Sequence, residues 1–420
     1  MHLARETSAK LNYSKFLPFF VCFAASLFFF YEFIQGNMFS SIADNLMRDF
    51  QMGADKMTYL SSIYYLSNVI FLFVAGYVLD HYSPKKTLLI AMISCVFSTF
   101  LFAHTTSYSV ALFCRFIAGI GSAFCFLGPI RVASHWFPAN RMAMITGIIV
   151  TFAMTGGIIS QYPLAQMVQH IGWRNAVDVV GWFGMILFFL MMLGIRETNT
   201  PCEIKHEPVK INVLATFKKI YLNTSIIKAA LYTSLMNMAV AVFGAMMGTL
   251  YLMQRLSITK SQASLINAML FLGAIIGGPL VGWISDHLQK RVMPMKIAAA
   301  ITLWLSLMIM YLPLVPWQMG ILFFLMGLVT AAQVISYAFV AETHPPAITA
   351  MAVSAISVLT QGGYVVYQNI YSFILTHYSQ ATVTQGAPVY SLASYQMAAI
   401  ILPLGVALAY FLSARLRDIH

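Results

Sequence analysis

Two charged residues lie deep inside apolar stretches of this chain and are its best candidates for chemistry. Glu32 lies in the run Leu-Phe-Phe-Phe-Tyr-Glu-Phe-Ile-Gln at 27–35, and Arg115 lies in the apolar run 108–130. A carboxylate is costly in such surroundings, so Glu32 should face a cavity or a partner, where it could bind a proton or a substrate amine. The Arg115 guanidinium could bind a substrate carboxylate through two hydrogen bonds or pair with Glu32.

Each of the two residues also has a purely structural interpretation. Glu32 would then be a partner for Arg115 without a proton role, and Arg115 would be a helix-packing arginine bonded to backbone carbonyls. If proton and substrate use this pair at different stages, they compete for it, and that competition would couple their movements. The other acid clearly inside an apolar run is Asp178, near the outer end of the sixth run.

The elements that position these residues are membrane-spanning helices. The chain is 60% hydrophobic and 9% charged, more apolar than a soluble core requires. A helix needs about 20 apolar residues to cross a bilayer, and barrel strands would alternate over about 10. Twelve runs meet the helical requirement: 16–39, 57–79, 86–104, 108–130, 142–165, 176–195, 227–253, 263–284, 292–313, 317–340, 348–375 and 391–413. The first has no cleavage site, so we expect it to be retained as a span.

The net charge of +11 reflects topology rather than nucleic-acid binding. With the N-terminus in the cytoplasm, 18 of the 24 Lys and Arg residues fall on the inner side and 6 on the outer side or outer half. This bias follows the positive-inside rule and predicts that both termini are cytoplasmic. The expected location is a plasma membrane or a bacterial inner membrane.

A short charged sequence occurs twice, at a constant offset of 206 residues. Gly76-Tyr-Val-Leu-Asp80-His in the first copy matches Gly282-Trp-Ile-Ser-Asp286-His in the second, and Lys85 matches Arg291. Such internal symmetry is typical of secondary transporters built from repeats. It predicts an N-terminal six-helix bundle (1–195), a cytoplasmic linker (196–226) and a C-terminal six-helix bundle (227–420).

The duplicated Gly-x-x-x-Asp loops, between spans two and three and between spans eight and nine, resemble the signature of the major facilitator superfamily. Arg115-Phe-Ile-Ala-Gly119-Ile-Gly121 in span four is similar to the Arg-x-x-x-Gly-x-Gly pattern of proton-coupled members. The resemblance covers essentially the whole chain. It implies an all-α membrane protein with twelve helices in two pseudo-symmetric six-helix bundles.

The same resemblance implies a gate at the inner face. In the family the loop aspartate holds the two bundles together in the outward-facing state, so Asp80 should cap the start of span eleven and Asp286 the start of span five. The glycine would let neighbouring helices approach closely. The predicted gating residues are Gly76, Asp80, Lys85, Arg141, Gly282, Asp286 and Arg291.

In this fold spans one, four, seven and ten line a central cavity, and polar or aromatic residues there and on spans two and eleven are substrate-binding candidates. Each is about as consistent with interhelical hydrogen bonding as with ligand contact. The predicted set is Tyr31, Gln35, Tyr64, Asn68, Arg115, Asn237, Gln333, Tyr337, Gln361, Tyr364 and Gln368, with Glu32 and Arg115 as the proton-coupling pair.

Other kinds of site find no support in the sequence. There is no phosphate-binding loop, the histidines lack metal spacing, and the five cysteines (Cys22, Cys95, Cys114, Cys125 and Cys202) lack it too. We therefore expect no enzyme activity, no metal and no cofactor, with a proton gradient as the driving force. The expected partners are a small-molecule substrate and the lipid bilayer, without nucleic acid, and the protein is expected to be a monomer.

The resulting expectation is proton-coupled uptake of an amino acid, a small peptide or a related nutrient by alternating access. Span five has Gly147, Gly156 and Gly157 but lacks the Gly-Pro core of drug antiporters, which disfavours drug or metabolite efflux. Efflux stays an alternative within transport. A membrane sensor that binds solute on the same fold without moving it is the alternative from another class.

Overall fold

The computed structural model of this chain describes residues 2–138, 141–196, 223–343, 346–378, 382–384 and 387–418. The predicted linker falls largely on 197–222, outside the described residues, so its boundaries stay a prediction. The first half consists of α1 (His2–Asn37), α2 (Phe39–Asp49), α3 (Ala54–His81), α4 (Pro84–His104), α5 (Tyr108–Ser122), α6 (Leu127–Trp136) and α7 (Met142–Gly194).

The second half repeats this plan and adds a short hairpin. Its helical elements are α8 (Thr224–Met236), a π-helix that we call the π segment (Val240–Met247), α9 (Gly248–Leu256), α10 (Lys260–Leu288), α11 (Val292–Tyr311), α12 (Pro316–Thr330), a 3₁₀ turn (Ala331–Val334), α13 (Ile335–Thr343), α14 (Pro346–His377), α15 (Leu392–Ala399) and α16 (Ile401–Ala414). The hairpin, which the sequence analysis did not predict, pairs β1 (Thr382–Thr384) with β2 (Ala387–Val389) in antiparallel register.

The described helices account for the predicted twelve spans. Ten stretches are long and apolar enough to cross a membrane. One of them, Met144–Gly194, is 51 residues long and contains two spans, because the backbone breaks at Gly172 with φ +80°, a left-handed conformation that favours glycine. α14 is not among these ten stretches, but its 32 residues are long enough to form the remaining span.

The repeat is visible as an equivalent close packing of helices in each half. A Cβ at Gly119 would lie 2.2 Å from the Tyr64 carbonyl oxygen, and a Cβ at Gly327 would lie 1.9 Å from the Leu270 carbonyl oxygen. Glycine therefore allows α5 to contact α3 in the first half, and α12 to contact α10 in the second. The corresponding partners, Tyr64 and Leu270, are again 206 residues apart, so the two bundles are pseudo-symmetric.

The two ends of the molecule differ in how closely the halves approach. We call the end with the loops 76–86 and 282–291 the motif face, and the other end the opposite face. Ten of the twelve buried residues of α3 lie between Ala54 and Asn68, towards the opposite face. Towards the motif face, a Cβ at Gly76 or at Gly282 would meet no atom within 4 Å beyond its chain neighbours and its own helix backbone, so neither glycine is in a close helix contact among the described residues. Hydrogen bonds join the halves near the opposite face, as from Asn267 to Ser40 and from Gln166 to Ser261, whereas the ion pairs of Asp80 and Asp286 at the motif face each stay within one half. Within the described residues, the halves are thus closed at the opposite face and open at the motif face.

Candidate functional site

Glu32 lies inside the first bundle, between spans one, two and three. Its side chain is 2% exposed, and its Oε2 accepts a 2.8 Å hydrogen bond from the Tyr64 hydroxyl. The Cys95 thiol, a weak donor, also lies at this carboxyl group. Oε1 is buried and receives no N–H or O–H bond from the described residues. Glu32 therefore has one strong partner and an oxygen with unused capacity.

Arg115 lies beside this carboxyl group without forming a direct ion pair with it in this conformation. The guanidinium is stacked between two rings, with its central carbon 4.5 Å from the centroid of Tyr64 and 4.7 Å from that of Phe39. It donates to the carbonyl oxygens of Gln35 at 3.2 Å and Leu60 at 3.4 Å. Its Nη1 is buried and has no hydrogen-bond partner among the described residues. We call Glu32, Tyr64 and Arg115 the Glu32 cluster.

Two further predicted residues of span one face the interior of the same bundle. The Tyr31 hydroxyl is 3.1 Å from Thr99 Oγ1, and Gln35 Nε2 donates to both, at 3.0 and 2.9 Å. Both side chains are at most 1% exposed. In this conformation Tyr31 and Gln35 bind spans one and three to each other rather than facing the space between the halves.

Asn68 joins spans two and four in a similar way. Its Nδ2 donates to Ser122 Oγ at 2.7 Å, and the side chain is 5% exposed. Ser122 in turn donates to the Gly119 carbonyl oxygen. Asn68 therefore supports the helix that carries Arg115.

The space between the halves is lined near its centre by tyrosines and half-buried amides. The Tyr65 and Tyr364 rings meet across the halves, with centroids 4.6 Å apart. On the motif-face side of this contact, Gln333 and Gln361 are half-buried, and the Tyr337 hydroxyl lies at the side chains of Ser357 and Thr360. A solute that enters from the motif face would meet these polar groups first.

The remaining substrate-binding candidates lie in span seven or against it. Asn237 ends α8 and donates to the carbonyl oxygen of Thr233 on its own helix, at 3.1 Å. Gln368 is fully buried, and its Nε2 donates to the Ala241 carbonyl oxygen in the π segment at 2.9 Å. In this conformation both side-chain amide groups donate to backbone carbonyl oxygens.

The second copy of the duplicated loop carries a compact charge cluster. Arg291 donates to Asp286 at 2.5 Å and also pairs with Glu342, all within the second half. Its pKa is raised above the usual value, chiefly by the hydrogen bond to Glu342. The backbone N–H of Arg291, at the start of α11, donates to Asp418 at 3.0 Å.

The first copy is looser. Asp80 lies 3.4 Å from Arg131 of the same half, and both side chains are substantially exposed. Lys85 is half-buried and Arg141 is exposed. The expected contacts of Asp80 with span eleven and of Asp286 with span five belong to a state closed at the motif face, so they stay predictions. In this open state the recorded ion pairs of both aspartates lie within their own half.

A buried polar network at the opposite face was not anticipated from the sequence. Asn267 of α10 donates from Nδ2 to Ser40 Oγ at 2.9 Å and to Gln161 Oε1 at 2.8 Å, both in the first half. Ser40 Oγ is also 3.0 Å from Thr249 Oγ1. These four side chains are at most 1% exposed. These residues are single polar positions in different apolar runs and share no spacing pattern, so their contact could not be predicted from the sequence.

A charge pair borders this network. Lys260 of the second half donates to Asp44 Oδ1 and Asn45 Oδ1 of the first, both at 2.6 Å. The Lys260 side chain is 9% exposed. We call Ser40, Gln161, Thr249, Asn267 and the Lys260–Asp44 pair the opposite-face seal.

Metal-dependent chemistry has no obvious site within the described part of the chain. No group of three or more His, Cys, Asp or Glu residues there is placed to hold a metal ion. The four described cysteines are buried.

Comparison with known proteins gives a consistent assignment. The model of the Major Facilitator Superfamily matches residues 21–367 and again 229–419. The probable sulfoacetate transporter SauU of Cupriavidus necator is 22% identical over 251 residues, 56% of this chain and 57% of that protein. The hexuronate transporter of Bacillus subtilis is 24% identical over 272 residues, 62% of each chain. Both matches span less than two thirds of the relative's length.

The fold comparison covers more of the chain. A bacterial homologue of the human lysosomal transporter Spinster, in an inward-facing and occupied conformation, superposes with a TM-score of 0.72 at 16% sequence identity. The match covers 94% of this chain and 96% of that one. The structural comparison shows a shared fold, and because the family model matches most of the chain, the chain belongs to the major facilitator superfamily.

Proposed function

We propose that the protein takes up a small organic acid together with a proton, by alternating access. Amino acids, small peptides and sugar acids all belong to this substrate class. The observation that carries the proposal is the Glu32 cluster: a buried carboxyl group and a buried guanidinium, each with an atom that lacks a strong hydrogen-bond partner among the described residues. Buried ionisable residues in membrane spans are commonly functional.

Glu32 is the proposed proton site. As a carboxylate it accepts from the Tyr64 hydroxyl, and Oε1 retains capacity for one more donor. Once protonated, the carboxyl group is neutral: its O–H needs an acceptor, and its remaining acceptor oxygen binds the Tyr64 hydroxyl more weakly, which favours rearrangement of this bond. Because the Tyr64 ring also contacts the Arg115 guanidinium, the rearrangement would reach the second charged group of the cluster.

Adjacent tyrosines connect the cluster to the contact between the halves. The Tyr64 and Tyr65 rings are 5.0 Å apart edge to face, and Tyr65 contacts Tyr364 in the second half. The Tyr65 hydroxyl donates to the Gly36 carbonyl oxygen at 2.7 Å, which fixes its ring against span one. A movement of the Tyr64 ring would therefore alter the contact between Tyr65 and Tyr364, where the halves meet.

The substrate class is supported by chemistry and by the relatives. Arg115 Nη1 is an unused donor of the type that binds carboxylates. Sulfoacetate and hexuronates, named for the two relatives, are organic acids. Gln333, Tyr337 and Gln361 would supply neutral hydrogen bonds from the second half. We place the motif face in the cytoplasm, following the charge bias of the sequence.

The proposal is tested by uptake into proteoliposomes with an imposed pH gradient. Glucuronate, sulfoacetate, amino acids and dipeptides would first be screened by thermal shift, because a ligand that binds the folded state raises its melting temperature. We expect the wild-type protein to accumulate a stabilising acid when the outside is acidic. Glu32→Gln should exchange that acid across the membrane without accumulating it.

Asp178→Asn is the matched control, since Asp178 is another acid in a span but lies at the opposite face, 3.7 Å from His104. It should accumulate the acid as the wild type does. Accumulation by Glu32→Gln that still follows the pH gradient would refute the proton assignment. Binding without flux or exchange would indicate a sensor, and proton-driven export would indicate efflux.

A further inference from the structure

Span seven contains a π-helix at the level of the opposite-face seal. In the π segment the backbone N–H groups bond carbonyl oxygens five residues earlier, instead of four as in an α-helix. An example is the bond from the Gly248 N–H to the Phe243 carbonyl oxygen. Residues 241–247 are all buried. Such segments are rare and are usually short interruptions at functional sites, so this one needs contacts that stabilise it.

Three buried amide side chains supply those contacts. Gln368 Nε2 donates to the Ala241 carbonyl oxygen, Asn267 Nδ2 to that of Phe243, and Gln161 Nε2 to that of Gly244, each at 2.9 Å. All three side chains are 0% exposed. Gln368 and Asn267 belong to the same half as the π segment, whereas Gln161 comes from span five of the other half.

The Gln161 amide is also tied to the contact between the halves. Its Oε1 accepts from Asn267, and its Nε2 also donates to the Asn37 carbonyl oxygen at 3.1 Å. Thr249, two residues beyond the π segment, donates its backbone N–H to Ser40 Oγ at 3.2 Å. The geometry of span seven and the closure of the opposite face therefore depend on shared hydrogen bonds.

We propose that Gln161 is a positioning residue that couples the π segment to closure of the opposite face. While the halves are together, its amide stabilises the π form. When the halves separate at this face, Gly244 loses that donor and the segment relaxes towards an ordinary α-helix. This turns the end of span seven and moves Thr249 away from Ser40, so the face opens as a unit.

The coupling goes beyond the proposed function and depends neither on the nature of the solute nor on proton movement. It requires only that the transporter alternates between states open at either face. A buried carbonyl group that loses its hydrogen-bond donor raises the free energy of the conformation that contains it. Loss of the Gln161 donor can therefore shift the π segment from its π form to its α form.

The test is hydrogen–deuterium exchange of the protein in nanodiscs without solute, comparing Gln161→Leu with Gln368→Leu. Both variants remove one amide–carbonyl bond from the π segment, but the first also breaks a contact between the halves. For Gln161→Leu we expect exchange to rise about fivefold or more at 38–49 and 249–260, and to fall at 76–86 and 282–291 as the motif face closes. For Gln368→Leu we expect faster exchange confined to 240–248.

Size-exclusion chromatography and melting temperature establish whether each variant is folded. If Gln161→Leu does not fold, Ser40→Ala removes cross-half bonds at the same site with a smaller change, and it should shift exchange in the same directions. Identical local effects of the Gln161 and Gln368 variants would overturn the proposal, as would a Gln161 variant that exchanges like the wild type. Neither outcome bears on Glu32, whose role is tested by uptake.

Discussion

The two faces of this molecule hold its halves together in different ways. At the opposite face, contacts cross between the halves and are buried: Asn267 bonds Ser40 and Gln161, and Lys260 pairs with Asp44. At the motif face, the ion pairs of Asp80 and Asp286 each stay within one half, and both aspartate side chains are more than half exposed.

This difference predicts which contacts set the free-energy difference between a state closed at the opposite face and a state closed at the motif face. Exposed ion pairs contribute about 0–1 kcal/mol, whereas breaking a buried pair by removing one partner costs about 3–5 kcal/mol. Substitutions at the opposite-face seal should therefore change which face is open. Substitutions in the ion pairs at the motif face should have little effect on which face is open, because these pairs do not join the two halves.

The largest effect is expected from Lys260→Met, which removes the charge pair that joins the halves at the opposite face. Asp44 would be left partly buried without its cation, at a cost of about 3 kcal/mol, which corresponds to a shift of about 100-fold in the equilibrium between states. Spin labels at Thr106→Cys and Pro313→Cys, both exposed on opposite-face loops, should show a longer distance.

Lys260→Arg is the control for this experiment, because it keeps the charge and should keep the short distance. A distance distribution that is the same in Lys260→Met and in the parent chain would show that the pair does not hold the face closed.

A smaller effect is expected from Arg291→Ala, which changes the charge cluster at the motif face. The substitution removes the pairs with Asp286 and Glu342, whose side chains are 68% and 54% exposed. We expect a loss of about 1 kcal/mol in the free energy of unfolding, seen as a lower melting temperature, without a change in the Thr106–Pro313 distance. An increase in that distance would mean that the two faces are coupled through this cluster.

The smallest effect is expected from Asp80→Asn in the first copy of the loop. Its pair with Arg131 is longer and more exposed, so the loss should be about 0.5 kcal/mol or less. The melting temperature should stay within error of the wild type, below the change seen for Arg291→Ala. A larger drop for Asp80→Asn than for Arg291→Ala would reverse the ranking of the two copies.

The fold could be predicted from the sequence because its signals are local or repeated. Apolar runs of span length and the duplicated loop at an offset of 206 residues predict twelve helices in two related bundles, and the described helices agree. The hairpin 382–389 was missed, because its strands of three residues carry no periodic pattern.

The site was less predictable, because it depends on which way each polar side chain points. Glu32 and Arg115 stand out as charges in apolar runs, and they do lie near each other, linked by Tyr64. Gln368 is predicted to bind substrate because it is a polar residue of span eleven, yet it is fully buried against the π segment. Gln161 and Asn267 are single amides 106 residues apart, and only the packing of the halves joins them.

Thiol labelling along one face of α10 measures whether the halves are closed at the opposite face and open at the motif face. Ser264 is buried and Gly278 faces open space, and both lie at helical spacing from Asn267 on the side that meets the other half. Ser264→Cys and Gly278→Cys would be introduced with Cys202→Ser, and the parent chain gives the background from the four buried cysteines.

A water-soluble maleimide should label Gly278→Cys at least about tenfold faster than Ser264→Cys. The thiol at position 264 is buried while the opposite face is closed, so it can react only in the fraction of molecules in which that face is open. Equal rates, or faster labelling of Ser264→Cys, would contradict a protein that rests open at the motif face.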